Sequence, residues 1–318
     1  MRRILGAAAF GCGIALFAWA DGGTVLPDSG PLPAVTMKRL TLLDAQRVGS
    51  RIVAVGDRGY IVLSDDQGST WRRARAPAEP MLTAVDFLDA QRGLAVGHDS
   101  VILLTRDGGE TWTQQFSAPA EQRPLLDVLF VKKDLAVAVG AYGAYYESTD
   151  EGKTWAARKI IADDKHLNSI VELGEGRMLI FGEAGTILAS SDWGKTWTPQ
   201  PSPYKGSLFG SLVASDGAVL AFGMRGNIYR SADKGRTWQQ VDDPVGATLI
   251  AGEKLTDNTI VLAGSAGTAL VSRDDGKSFQ AIDTRSTRAF AKPVAASEGG
   301  ILLLGEGGPR LVPLGPRQ

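Results

Sequence analysis

The sequence predicts an all-β fold, a seven-bladed β-propeller of four-stranded antiparallel blades. Three observations carry that expectation. A Ser/Thr-x-Asp-x-Gly-x-Thr/Ser-aromatic motif recurs six times, at intervals of 41 to 43 residues. A glycine that closes an apolar run lies ten residues before each motif aspartate and occurs a seventh time, at Gly305. Glycine is also abundant, 39 of 318 residues, which suits short strands joined by tight turns and disfavours helices.

The motif copies are centred on Asp66, Asp107, Asp150, Asp192, Asp233 and Asp274. Five end in tryptophan, at Trp71, Trp112, Trp155, Trp197 and Trp238, and the sixth ends in Phe279. The apolar runs close at Gly56, Gly97, Gly140, Gly182, Gly223, Gly264 and Gly305. Fifteen residues earlier stand Leu82, Leu125, Leu167, Leu208, Leu249 and Phe290, with Leu40 or Leu42 in the first unit. Seven units follow, and each divides into four strands. The first follows the leucine, as in Leu82, Thr83, Ala84 and Val85. The second is the apolar run before the glycine, the third follows the turn after it, and the fourth starts at the motif aromatic. Four short strands per repeat of this length are the mark of a propeller blade, and no such blade buries both faces alone. A parallel β-helix, the structural competitor, uses shorter repeats.

By the repeat spacing a seventh motif aspartate would fall at Gly315, so unit seven lacks a fourth strand of its own. Residues 21–35 precede the propeller (36–318) and belong to no unit. The expectation is that residues 24–35 supply the missing strand and close the ring, removing an exposed sheet edge. Pro27, Pro31 and Pro33 are tolerable on an outermost strand.

Residues 1–20 read as an export signal: Arg2 and Arg3, then an uncharged, mostly apolar run ending in Ala18-Trp19-Ala20, a small-x-small cleavage pattern. Cleavage after Ala20 would place the mature protein in the periplasm with 32 basic and 35 acidic residues. An uncleaved anchor helix and a lipidated Cys12 are the alternatives. With 44% hydrophobic and 22% charged residues and a net charge of −1, the chain is globular in composition, and its near-balanced charge argues against a nucleic-acid partner. One cysteine, Cys12, and two histidines, His98 and His166, exclude a disulfide framework and a Cys₄ or Cys₂His₂ zinc site. No metal and no cofactor are expected.

In the motif the aspartate accepts backbone N–H bonds from residues just after it, the glycine permits positive φ, and the aromatic covers the outer blade core. The motif is therefore a hairpin clamp between strands three and four. Calcium binding is the functional alternative, but each copy offers too few carboxylates.

These residues resemble the Asp-box (BNR) repeats of sialidase-like propellers. Joined to turns such as Val55-Gly56-Asp57-Arg58-Gly59 and Phe181-Gly182-Glu183-Ala184-Gly185, they look more like the photosystem II stability/assembly factor family and its bacterial relatives. The resemblance covers roughly residues 36–314. It implies a non-catalytic, seven-bladed scaffold or assembly protein for a membrane or envelope complex, in exported relatives one that accompanies transporters of the RND type. The lipobox of some members is missing, and nothing is photosystem-specific. The alternative is a sialidase-like glycosidase or a carbohydrate-binding propeller. A sialidase carries a Phe/Tyr-Arg-Ile-Pro segment before its first box, and the nearest match is Arg51-Ile52-Val53, which reads as a strand. No catalytic residues are assigned.

Partner-binding residues are expected on the loops that vary while their frame does not. The turns between strands two and three and the loops between blades share one face, opposite the Asp motifs. That face offers Asp57, Arg58, His98, Asp99, Tyr142, Glu183, Arg225 and Arg288. Mixed charge suits a protein partner, and the chain is expected to be monomeric by itself.

Overall fold

Seven antiparallel sheets stand around a central channel in the computed structural model, which describes residues 30–77, 80–296 and 299–315. The proposed export signal and its cleavage site lie outside the described residues. Blades one to six have four strands in chain order, and blade seven has three. Every inner strand begins at the landmark leucine or phenylalanine: Leu42–Val48, Leu82–Phe87, Leu125–Lys132, Leu167–Glu172, Leu208–Val213, Leu249–Lys254 and Phe290–Ala295. Every second strand ends on the landmark glycine, as Leu135–Gly140 does. The second and third strands are buried along nearly their whole length. They therefore read as continuous apolar runs, because each is covered by a blade on either side.

The six aspartate motifs share the bonds among their Ser/Thr, Asp and Gly residues, and the first three add a bond from the tryptophan. In the third, the Ser148 hydroxyl donates to Asp150 Oδ1 at 2.8 Å and accepts the Gly152 N–H at 2.9 Å. The Thr154 N–H donates to Oδ1 at 2.9 Å, and its hydroxyl to Oδ2 at 2.7 Å. Trp155 Nε1 then donates to the Gly152 carbonyl at 3.0 Å. The clamp also seals blade to blade. The motif glycine, at positive φ, rests against the preceding blade: Gly152 on Leu94, Gly235 on Leu179, Gly276 on Leu220, and Gly68 of blade one on Leu302 of blade seven. The six motifs are thus interblade wedges as well as hairpin clamps.

Of the expected closing strand, residues 30–35 are described. Residues 24–29 lie outside the described residues, and the described remainder does not pair with blade seven. The Leu32 N–H donates to the Trp71 carbonyl at 2.7 Å and Pro31 bridges Arg72, so this segment borders the outer strand of blade one, Arg72–Arg73. A short helix, Ala34–Met37, follows. The reason is apolar. Leu32, Met37 and Leu40 join a core with Leu42, Ile52 and Trp71 of blade one and Val294, Leu302 and Leu304 of blade seven. The Gly307 and Gly308 N–H groups complete the seam by donating to the Leu40 carbonyl at 3.2 and 3.0 Å. Face packing joins the two blades, without a fourth strand on blade seven among the described residues.

The inner strands are laced across the blades by side chains. Asp44 accepts the Val85 N–H at 2.8 Å, Asp86 the Phe130 N–H at 2.7 Å, and Asp127 the Ile170 N–H at 2.8 Å. Lys292 closes this ring onto Asp44 at 3.3 Å and reaches Glu253 at 3.9 Å. Desolvation at the channel wall pushes Asp86 up to about 6 and Asp127 up to about 7, from an ordinary value of 3.8, and raises Glu253 too. The clamp aspartates go the other way: bonds from the Thr154 N–H and from the Thr196 hydroxyl hold Asp150 and Asp192 down to about 2.

Two predictions follow from this frame. Asp150→Ala removes the acceptor for four donors, the Ser148 and Thr154 hydroxyls and the Lys153 and Thr154 N–H groups, and is expected to cost about 1–3 kcal/mol, a Tm lower by several degrees; an unchanged Tm would mean the clamp carries no stability. Second, stability depends on pH with opposite signs in two windows. Between about pH 4 and 7 the folded chain holds protons on Asp86 and Asp127 that the unfolded chain has released, so stability falls as pH rises through that window. The clamp aspartates give stability that is complete above their unfolded value and lost as pH drops toward 2. Tm is therefore expected to peak near pH 4–5 and to decline toward pH 8, with Asp127→Asn flattening the alkaline limb. A wild-type Tm that climbs from pH 5 to pH 8 would refute the assignment.

Candidate functional site: the face of the short turns

The short turn after each second strand is built from a close contact. A side chain on the landmark glycine would meet the carbonyl just before the inner strand: Thr41 against Gly56 at 2.1 Å, Pro124 against Gly140 at 2.2 Å, Ala289 against Gly305 at 2.3 Å. Only glycine admits that approach. The next residue's N–H then donates to the same carbonyl, from Asp57 at 3.0 Å, Ala141 at 2.8 Å and Glu306 at 3.1 Å. In blades one to six the chain next passes through two residues in the left-handed region: first Arg58, Asp99, Tyr142, Ala184, Arg225 or Ala266, with φ between 52° and 58°, then Gly59, Ser100, Gly143, Gly185, Gly226 or Gly267. The first of each pair is the tip of the turn. Each tip is a non-glycine residue, and such backbone costs free energy that the surrounding frame must supply. The turns also bond the loops between blades: the Gly143 N–H donates to the Lys165 carbonyl and the Gly185 N–H to the Gly206 carbonyl, both at 2.8 Å. Turns and interblade loops therefore share a face, while the aspartate motifs bond the hairpins of the opposite one, as Trp193 does through Gly176.

The expected contact residues divide into three kinds. Arg58, His98, Tyr142, Glu183, Arg225 and Arg288 are exposed. Asp57 is a turn anchor, accepting the Thr41 N–H at 3.3 Å, and Asp99 holds the neighbouring loop through its carbonyl, which accepts the Ala118 N–H at 2.8 Å. Arg288 lies flat, its guanidinium over Gly307. The fold brings one group together: Tyr142 packs edge-on against His166 with ring centroids 5.0 Å apart, and Glu183 accepts the His166 N–H at 3.2 Å. Arg58 and Arg225, in blades one and five, stand apart from that group.

Sequence reasoning passed over three residues of this face. His166 fills the gap between Tyr142 and Glu183. Met81 and Val245, on loops between blades, expose 37% and 48% of their surface and add apolar area beside the charged tips. Their signal was available: each is an apolar residue in an interblade loop, outside any strand. The channel behind this face holds a cavity of about 170 Å³, lined among others by Asp44, Asp127, Ser211 and Lys292. Its carboxylates are engaged in the blade-to-blade bonds described above. Among the described residues no group of three or more His, Cys, Asp or Glu side chains is placed to hold a metal ion.

The solved structures that resemble this fold include a YCF48 bound to a D1 peptide, at 22% identity and a TM-score of 0.69, covering 88% of this chain and 95% of that one. YCF48 from Cyanidioschyzon merolae matches at 18% identity and a TM-score of 0.67, covering 92% and 98%. The WD40 propeller domain of Doa1 matches at 14% identity and a TM-score of 0.69, covering 87% and 94%. At these identities the likeness is one of fold. No curated protein matches the sequence. The sequence itself matches the profile described as Photosynthesis system II assembly factor YCF48 over residues 63–123 and 114–254, more than half its length. The chain belongs to that BNR-repeat propeller family.

Proposed function

We propose that this propeller is a non-catalytic scaffold, exported to the periplasm, that docks a membrane or envelope protein through the face of the short turns. The observation that carries the reading is the contrast between frame and tip. Near-identical glycine–carbonyl contacts hold six non-glycine residues in one left-handed conformation, and their side chains range from arginine (Arg58, Arg225) through aspartate (Asp99) and tyrosine (Tyr142) to alanine (Ala184, Ala266). Exposed Met81, Tyr142 and Val245 on that face supply apolar contact, and Arg58 and Arg225 supply guanidinium groups of the kind that dominate interface energy. Family membership supports a scaffold, and a YCF48 was solved with a D1 peptide bound. An envelope transporter of the RND type is the partner class that the resemblance of the sequence suggests. The non-catalytic reading is supported by the occupation of the channel carboxylates Asp44, Asp86 and Asp127 in backbone bonds.

Arg58→Ala/Tyr142→Ala/Arg225→Ala tests the docking face. Ala184 and Ala266 already occupy the same left-handed position, so alanine is compatible with the frame and Tm should not move. Recovery of the partner from detergent-solubilised envelope should drop sharply, since one true hot spot is worth about 2 kcal/mol, roughly thirtyfold in affinity. Undiminished recovery of the same proteins would shift the binding surface elsewhere. Export predicts a mature N-terminus at Asp21 by mass spectrometry, and an intact Met1 or a lipidated Cys12 would refute it. Purified protein is expected not to turn over a fluorogenic sialoside.

A further inference from the structure

The aspartate-motif face carries salt-bridge clusters at the seams between blades, and one of them does not balance. Between blades one and two, Arg51 and Arg72 meet two carboxylates. Arg51 lies 2.6 Å from Asp65 and 2.9 Å from Glu110, and Arg72 lies 2.5 Å from Glu110 and 3.4 Å from Asp65. Two cations face two anions, and the seam is neutral. Between blades two and three, by contrast, four cations converge on Glu151: Arg92 at 3.4 Å, Lys133 at 3.8 Å, Lys153 at 3.9 Å and Arg106 at 4.0 Å. Asp89 offsets Arg92 at 2.6 Å, which leaves Arg106, Lys133 and Lys153 sharing one carboxylate. These three side chains are 50%, 72% and 52% exposed, so they are available to a partner.

Apolar surface adjoins the surplus. Lys132 is paired with Asp134 at 3.6 Å and also lies 5.3 Å from the ring of Trp193, which is 37% exposed on the motif of blade four. By ion pair, Arg92, Arg106, Lys132, Lys133 and Lys153 meet Asp89, Asp134 and Glu151 alone among the described residues, while the motif carboxylates Asp107 and Asp150 beside them turn their oxygens into their own loops.

We propose that the seam between blades two and three is a second docking site, on the face opposite the short turns, for an acidic extended segment of a protein partner. Three cations arranged around a fixed anion suit separate carboxylates on a flexible chain, each able to lie against one ammonium or guanidinium while avoiding Glu151. Trp193, beside Lys132, offers a stacking surface for one apolar residue of that segment. A continuous polyanion is a poorer fit, because Glu151 stands in its path and the protein as a whole carries no excess positive charge to attract it. Cations at the rim act through steering and specificity, so binding here is expected to weaken steeply with salt.

The test uses the full propeller and a fluorescein-labelled dodecapeptide of Glu and Ser with one central Leu. A second peptide with Gln in place of every Glu serves as control. The acidic peptide should bind at low ionic strength, the Gln peptide should not, and raising the salt should release it. Arg106→Glu/Lys133→Glu/Lys153→Glu should lower the affinity at least tenfold with Tm unchanged. Glu151→Gln should raise it several-fold, a gain that a purely structural role for Glu151 does not produce. Arg58→Ala/Tyr142→Ala/Arg225→Ala should leave it unaltered, which separates this site from the face of the short turns. The proposal is overturned if the acidic peptide fails to bind, if charge reversal leaves its affinity unchanged, or if Glu151→Gln weakens it. It is equally overturned if the patch prefers phosphatidylglycerol vesicles or a twelve-residue oligothymidylate to the peptide.

Discussion

A carbonyl oxygen pressed against a glycine is the contact on which the rest of this propeller depends. It occurs in all seven blades, where the chain entering the inner strand passes within about 2 Å of where a Cβ would stand on the glycine ending the second strand. The backbone at these glycines is extended, near ±160–180°, so conformational freedom is not what selects them. Space is. The approach lets one carbonyl accept the N–H that starts the short turn, and this fixes the turn, the bulged start of the inner hairpin and the direction in which the tip residue points. Display of variable side chains on one face is a consequence of that backbone contact.

The opposite face is governed by a second repeated device. A clamp aspartate is satisfied wholly within its own loop, and the glycine beside it leaves room for the previous blade to press against the loop. Because this wedge also operates between blades one and seven, through Gly68 and Leu302, the ring can close by packing, as at the five seams that join blades one to six. The two faces therefore have separate structural origins.

Much of this was legible in the sequence because repetition exposes it. Six copies of one motif and seven landmark glycines gave the blade count and the start of every inner strand. They also placed the clamp chemistry of Asp150 and its equivalents. The packing at the seam was not legible, because a count of strands cannot show that Leu32, Met37 and Leu40 pack against blade one and blade seven. The site was legible only in outline. Arg58, Asp99, Tyr142 and Arg225 stand at the tips of short turns, whereas the Asp57 carboxylate accepts the Thr41 N–H within its turn. His166 drew no notice as a contact, since its place beside Tyr142 comes from a neighbouring blade. The unbalanced seam at Glu151 was invisible for the same reason: its cations come from four separate loops, and local charge counts along the chain give no hint of their convergence.

The glycine–carbonyl contact can be tested against a glycine of the opposite kind. Gly217 has φ of 80° and nothing within 4 Å of a built Cβ, so alanine there meets backbone strain alone, a cost of about 1 kcal/mol. At Gly140 the φ of −170° suits any residue, but a Cβ would lie 2.2 Å from the Pro124 carbonyl. Thermal unfolding of Gly140→Ala and Gly217→Ala decides between space and conformation as the ruling constraint. The account predicts a far larger loss of Tm, or no folded protein, for Gly140→Ala. Equal losses, or a larger one for Gly217→Ala, would contradict it.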